Sequence, residues 1–380
     1  MSTMEPEVIS LARQLIRLPS YTPDDAGCQP LLMNRLGGHG FQGEHHRLGE
    51  VDNVLMWHGD QPGPALMFLG HTDVVPPGDL KSWRHDPLSA VIEEGVLYGR
   101  GVADMKGSVA AMVLAMEKFV GQYPNHPGKV GLMLTSDEEG EAIDGVRRFM
   151  PMMAEKHHFD WCLVGEPSSS ESLGDTVRVG RRGSLHANIT IKGKQGHVAY
   201  PQNASNPVFL AGSAIAEMGQ FQWDQGNDDF PPTSFQISNI HAGTGVPNII
   251  PGVLEITANF RYAPVSTQAS LAKQLSGILD KYGLDYELDW VLSGEPFYCE
   301  DETFRQAVSD SIAAITGIRP EFNTAGGTSD GRFVAPHGVA TMELGPINKT
   351  IHQVNECEKV SHLVQLEGIY LDLLKRLLLK

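Results

Sequence analysis

ALMFLGHTD, residues 65–73, is a six-residue apolar and small run that ends in an imidazole and a carboxylate. Two later stretches have the same form, KVGLMLTS at 129–136 and FDWCLVGE at 159–166. Runs this short and this apolar fit strands buried on both faces. Between the first two, Val109, Met112, Val113, Met116 and Phe119 recur at helical spacing after Lys106. Strand, helix and strand in alternation predict an α/β fold with a mostly parallel sheet, whose functional residues gather beyond the strand carboxyl ends. Upstream, Val8, Leu11, Ala12, Leu15 and Ile16 predict a helix from about Pro6 to Leu18, which Pro19 stops.

Downstream of Arg181 the texture changes. SLHANITIKG at 184–193 alternates, with Leu185, Ala187, Ile189 and Ile191 on one side, as a sheet with one solvated face requires. A helical pattern near 206–219, alternating strands at 233–242 and 252–262, a helix at about 267–282 and a strand at 285–293 follow. The order β-α-β-β-α-β is the ferredoxin-like arrangement and reads as a module of residues 181–294 inserted into an α/β domain of residues 1–180 and 295–380. After it come a helix at about 302–316, the glycine-rich turn AGGTSDGRF at 325–333, a short strand at 339–344 and an amphipathic closing helix from Val360.

The chain carries 46 acidic and 29 basic side chains, a net charge of −17 over 380 residues, which argues against nucleic acid or an anionic membrane as partner. No apolar stretch has the roughly 18 to 20 residues a membrane span needs. MSTMEPEVIS has no basic start followed by an apolar block, so no signal peptide is expected. The four scattered cysteines lack paired metal spacing and fit a reducing cytoplasm. Asp24-Asp25 and Asp228-Asp229 read as solvated loop charges, and the pairs His45-His46 and His157-His158 as surface.

Metal-ligand types cluster at the ends of the three apolar strands. His71 and Asp73 follow the first, Glu138 and Glu139 the second, Glu166 the third; Asp104 precedes the Met-rich helix and His352 lies late in TIHQVNE. Any one of these alone reads as a cap or a surface group. A parallel sheet, however, brings all three strand ends to one rim. Imidazoles and carboxylates without a thiolate suit zinc, manganese or cobalt in an open hydrolytic site. Two histidines and three carboxylates would serve two metals that share a bridging ligand, with one carboxylate left over as a base.

GHTDVVPPG, GRGVADMKG, TSDEEG, VGEPS and IHQVNE, in that order and over nearly the whole chain, resemble the successive motifs of the metal-dependent amidohydrolases that include aminoacylases, carboxypeptidase G-type enzymes and deacylases of acylated diamino acids. The resemblance implies a pair of divalent ions, zinc by preference with cobalt or manganese as alternatives. It implies His71 and Glu166 on one ion, Glu139 and His352 on the other and Asp104 between them. Asp73 would accept the second N–H of His71, and Glu138 would be the general base. It also makes the inserted module a lid and dimerisation domain, hence a homodimer, with His197 of GHVAYP as the oxyanion donor reaching into the partner's site. VGRRGS, GGTSDGRF and NKTIHQVNE are most similar to the family's desuccinylase subgroup. That subgroup would act on a small N-acylated amino acid rich in carboxylates, for which Arg181 and Arg261 are the cations and Ser184, Asn248, Thr328 and Asn348 the neutral donors. A deacetylase of the same family, or a zinc-binding homologue without activity, is the competing expectation.

Overall fold

In the computed structural model, which describes residues 5–379, the chain divides into two units. The first comprises the residues up to Gly180, Tyr298–Asn323 and those from Ser329 onward. The second comprises Arg181–Phe297 and the short segment Thr324–Thr328. The inserted module thus runs three residues beyond position 294, and part of the glycine-rich turn belongs to it.

At the centre of the first unit the three apolar runs lie side by side. Ala65–His71 pairs in parallel with Lys129–Thr135 on one side and with Trp161–Val164 on the other. Ala340–Glu343 continues the parallel set beyond Trp161–Val164. The sheet has eight strands, completed on one side by the antiparallel pair Val51–His58 and Gln42–Leu48 and on the other by Thr176–Arg178 and Glu321–Asn323. Every residue of Ala65–His71 is buried, because both faces of the sheet are covered. Leu66 and Phe68 pack with the helices Glu7–Ile16, Gly107–Gln122 and Val360–Leu378, where Phe68 meets the Tyr370 ring at 5.2 Å between centroids. Ala65, Met67 and Leu69 pack on the opposite face with Val146, Phe149 and Met153 of the helix Val146–Ala154. Burying each such aliphatic or aromatic side chain contributes about 1.5–3 kcal/mol, so the strand is held from both faces.

Asp25 departs from its expected solvated role. It is buried, accepts the Gln29 N–H at the start of the helix Cys28–Gly37 and accepts the Thr72 hydroxyl at 2.6 Å. The carboxylate thereby fastens that helix to the residue next to His71.

The second unit is an antiparallel sheet in the order Ser234–Ala242, Val253–Tyr262, Gly183–Lys192, Tyr286–Gly294, with the helices Pro207–Gln220 and Gln268–Lys281 packed on it. Numbered along the chain, that spatial order is 2-3-1-4, the ferredoxin-like arrangement. Leu185, Ala187, Ile189 and Ile191 face Leu254, Ile256, Ala258, Phe260, Leu271 and Leu275 in a core of its own. Thr267 and Ser270 form a reciprocal cap at the start of the second helix.

Candidate metal centre

The register of the parallel strands sets up the site. His71, the last residue of its strand, stands beside Thr135, and Leu69 beside Val164, so the segments carrying Glu138, Glu139 and Glu166 leave the sheet at the same rim as His71. His71 is buried, and its Nδ1–H donates to the Asp73 carbonyl oxygen at 2.9 Å. That bond turns Nε2 toward Asp104 Oδ1 at 3.2 Å and Glu166 Oε1 at 3.7 Å. In the neutral ring Nε2 is then a lone pair facing carboxylates, the form in which imidazole binds a metal.

Asp104 lies in the tight turn Val102–Lys106, entered through Gly101 at φ 83°. Its Oδ1 faces His71, while its Oδ2 lies 3.2 Å from His352 Nε2. His352 Nε2 is also 3.0 Å from Glu139 Oε1. One carboxylate therefore joins two ligand sets, His71–Asp104–Glu166 and Asp104–Glu139–His352, and within each set the donor atoms lie within 4.8 Å of one another. Asp73 is also buried, but its carboxylate is 3.6 Å from His71 Nδ1 and its own carbonyl takes that hydrogen. The carboxylate instead accepts the Glu139 N–H at 3.1 Å and the Glu138 N–H at 3.4 Å, fixing the turn that presents the two glutamates.

The protonation pattern is that of a site built for positive charge. Burial, then the Glu138 and Asp104 charges, push the Glu166 carboxyl well above its ordinary range. Burial and the Asp330 charge do the same to Glu138. Burial opposes ionisation of Asp104, yet His352 and His71 outweigh it and hold that carboxyl well below the usual value. Hydrogen bonds to Asp104 and Glu139 raise His352 to about 10. Burial works against charge on His71, and the Asp104 hydrogen bond with the Asp73 and Glu166 charges overcomes it. Glu166 Oε1 is buried with no hydrogen-bond partner. A buried unpaired carboxylate oxygen, carboxyls whose ionisation is opposed by burial and by one another, and an imidazole, His71, oriented through Nδ1 all fit divalent cations, and oxygen and nitrogen donors without sulfur suit zinc, cobalt or manganese.

The other expected residues fall as follows. Asn348 lies in the first unit, half-buried, its N–H donating to the Ser169 carbonyl at 3.0 Å. Arg181, Ser184, His197, Asn248, Arg261 and Thr328 all belong to the second. There Ser184 stands opposite Arg261 in register, and the exposed His197 and Asn248 lie on adjoining segments joined by the Val198 N–H to the Asn248 carbonyl, 3.1 Å. Arg181 is buried, donates from Nη1 to the Ala325 carbonyl at 2.5 Å and lies where a side chain at Gly326 would begin. Of the histidine pairs expected at the surface, His46 and His157 are half-buried, their rings tilted against Phe149 and Trp57 at 5.5 and 4.4 Å between centroids, and neither belongs to a ligand set. Two buried carboxylates beside the site escape the sequence reading. Asp330, with neither oxygen hydrogen-bonded, is raised by burial to about 7 against the pull of Arg332 and His71, and Glu343 accepts the Ser329 hydroxyl at 2.5 Å. Their position inside GGTSDGRF and at the end of an apolar strand was the available signal.

Fold and ligand sets together define a metal-dependent hydrolase. The family model for peptidase family M20/M25/M40 matches residues 67–376, and the chain belongs to that family. It is 54% identical to a succinyl-diaminopimelate desuccinylase of Stenotrophomonas maltophilia (strain R551-3), over 98% of this chain and 99% of that one. It is 52% identical to the protein of the same name from Xanthomonas campestris pv. campestris (strain B100), over 99% and 100%. Among solved structures, an M20 family metallo-carboxypeptidase from Sulfolobus solfataricus aligns with a TM-score of 0.80 at 16% identity, covering 98% of this chain and 99% of that one. A dinuclear metal-binding peptidase of the M20 family from Bacillus subtilis aligns at 0.73 and 16%, covering 96% of each chain. These two likenesses establish the fold. The family match and the desuccinylase relatives make the chain an enzyme of the M20 family.

Proposed function

We propose that this enzyme hydrolyses N-succinyl-L,L-2,6-diaminopimelate to succinate and L,L-diaminopimelate, a step of lysine and cell-wall precursor synthesis. The observation that carries the chemistry is the sharing of Asp104 by two ligand sets. His71 and Glu166 hold one divalent ion, Glu139 and His352 the other, and zinc is the ion this reading assigns. When bound, such a pair acidifies water and polarises the amide carbonyl. Glu138, next in sequence to a ligand and held by the Asp73 carboxylate through its backbone, takes a proton from the attacking water on its own carboxylate and passes it to the leaving amine nitrogen.

The choice of acyl group is supported by relatives of that name at 52–54% identity over nearly the full length. Three carboxylates on the substrate require local cations on a chain of net charge −17; Arg181 and Arg261 serve, with Ser184, Thr328 and Asn348 as neutral donors. His197 and Asn248 act across a homodimer. That reading is supported by the exposed apolar start of the helix Pro207–Gln220, where Phe209 is 82% exposed, and by Ser234–Ala242 at the edge of its sheet with Ile240 54% exposed. Four free cysteines, three of them buried, agree with a cytoplasmic enzyme.

The test is turnover of N-succinyl-L,L-diaminopimelate beside N-acetylornithine, before chelation, after it, and after add-back of zinc, cobalt or manganese. Loss and recovery of activity on the succinylated substrate is expected. A clear preference for acetylornithine would overturn the acyl assignment, and activity untouched by exhaustive chelation would overturn the metal centre.

A further inference from the structure

Four residues beyond His352, Glu356 is almost completely buried and every partner it has is a donor. Its Oε1 accepts the Ala103 N–H at 2.9 Å and the Asp104 N–H at 3.1 Å. Its Oε2 accepts the Gly101 N–H at 3.0 Å and Arg100 Nη1 at 2.8 Å. One carboxylate thus gathers three backbone N–H groups of the turn that carries Asp104. Arg100 is itself buried, its guanidinium 5.2 Å from the Trp83 ring centroid. A buried ion pair recovers little net stability, because desolvation of both charges offsets their attraction. Its use here is geometric: it charges and aims the acceptor that holds the turn. The same segment reaches Tyr98 through the antiparallel pairing of Cys357–Lys359 with Val96–Tyr98, so the chain leading to Asp104 and the chain leading from His352 are stitched together.

We propose that Glu356 is the positioning residue of the bridging carboxylate, setting Asp104 through the backbone of residues 101–104 so that both ion sites depend on it; this rests on the metal-centre reading above. An amide cannot replace it, since a side-chain NH₂ would face N–H donors with no acceptor. Because Asp104 belongs to both ligand sets, disturbing it weakens both ions, whereas losing His352 weakens one.

The experiment is a cobalt titration of the metal-free protein followed by visible absorption, on the wild type, Glu356→Gln, Glu356→Asp and His352→Ala, with the thermal midpoint of each metal-free form as the folding control. The wild type takes two equivalents. Glu356→Gln loses affinity for both by roughly 10- to 100-fold, with Glu356→Asp partly restoring both, and His352→Ala loses only one. On substrate, kcat of Glu356→Gln falls while KM holds, since no contact to substrate is altered. Two equivalents at wild-type affinity in folded Glu356→Gln, or weakening of one equivalent alone as in His352→Ala, overturns the inference. Should Glu356→Gln not fold, Glu356→Asp decides on the same terms. A wild type that binds no cobalt overturns the metal centre itself, a different result from either.

Discussion

Adjacent side chains with opposite duties put the sharpest demand on the site. Glu138 and Glu139 leave the same strand and are held by the same Asp73 carboxylate, yet only Glu139 approaches His352. Glu138→Gln keeps the shape and removes the proton acceptor. Turnover should fall by about 10²–10⁴-fold with metal content unchanged, which paired activity and elemental measurements would check. A variant that turns over normally would remove the assigned base. His352 supplies a second expectation. Held at about 10 by Asp104 and Glu139 in the metal-free protein, it carries a proton throughout neutral pH, and a metal needs the bare Nε2. Cation binding at pH 7–8 should therefore release protons, and affinity should weaken as pH falls, by up to about tenfold per unit for each proton displaced. Calorimetry in buffers of different ionisation enthalpy would count them; no release would refute the assignment. Of the seven residues gathered here, His71, Asp73, Glu138, Glu139 and Glu166 are legible in sequence because each is a metal-ligand type at the end of an apolar run, and Asp104 and His352 through the motifs GRGVADMKG and IHQVNE. Glu356 and Asp330 are not, since an acidic residue declares itself buried only once the backbone donors or the apolar walls around it have formed.

At the level of strands and helices, burial on both faces is what makes Ala65–His71 and its neighbours readable, and polarity is what hides the rest. QGEHHRL forms the outermost strand Gln42–Leu48, with no fully buried residue and no apolar pattern to betray it. The helix Cys28–Gly37 buries Gln29 as well as Leu32 and Leu36, so its stripe is broken by an amide that bonds inward to the Asp52 carbonyl. The alternating strands of the second unit read cleanly, because each has one wet face. The rim itself is tightly built. A side chain at Gly345, just past the strand Ala340–Glu343, would run into the carbonyl oxygens of Gly165 and Glu166. Backbone cannot yield as a side chain can, so Gly345→Ala must move the segment bearing Glu166. We expect a cost of about 1–3 kcal/mol and a weakened site at His71 and Glu166. Gly277→Ala, in the helix Gln268–Lys281 with open space around it, should instead stabilise by up to about 1 kcal/mol and leave kcat unchanged. Chemical denaturation together with kcat measurements separates the two, and equal activity in both variants would contradict the tight rim.

Across the whole chain, the division of labour follows from which core each residue belongs to. All five candidate ligands, with Asp73 and Glu138, lie in the first unit, while the second buries Leu185, Ile189, Leu254, Phe260 and Leu275 in a core that the first does not share. A ligand stabilises only the folded state that binds it, by RT ln(1 + [L]/Kd), about 4 kcal/mol at a thousand times Kd. Cation should therefore act on one unit alone. Scanning calorimetry of the chelated protein should resolve two transitions, one for each core, and zinc or cobalt should raise one of them and leave the other in place. The moving transition should belong to the first unit, which Trp290→Phe can identify: Trp290 packs against the second core, so that change lowers the transition that cation leaves alone. If both transitions moved together on adding metal, or if a single transition carried the whole heat, the cores would be energetically coupled. Metal binding would then be felt by the residues that this reading assigns to substrate capture, and KM as well as kcat would respond to partial metal loading.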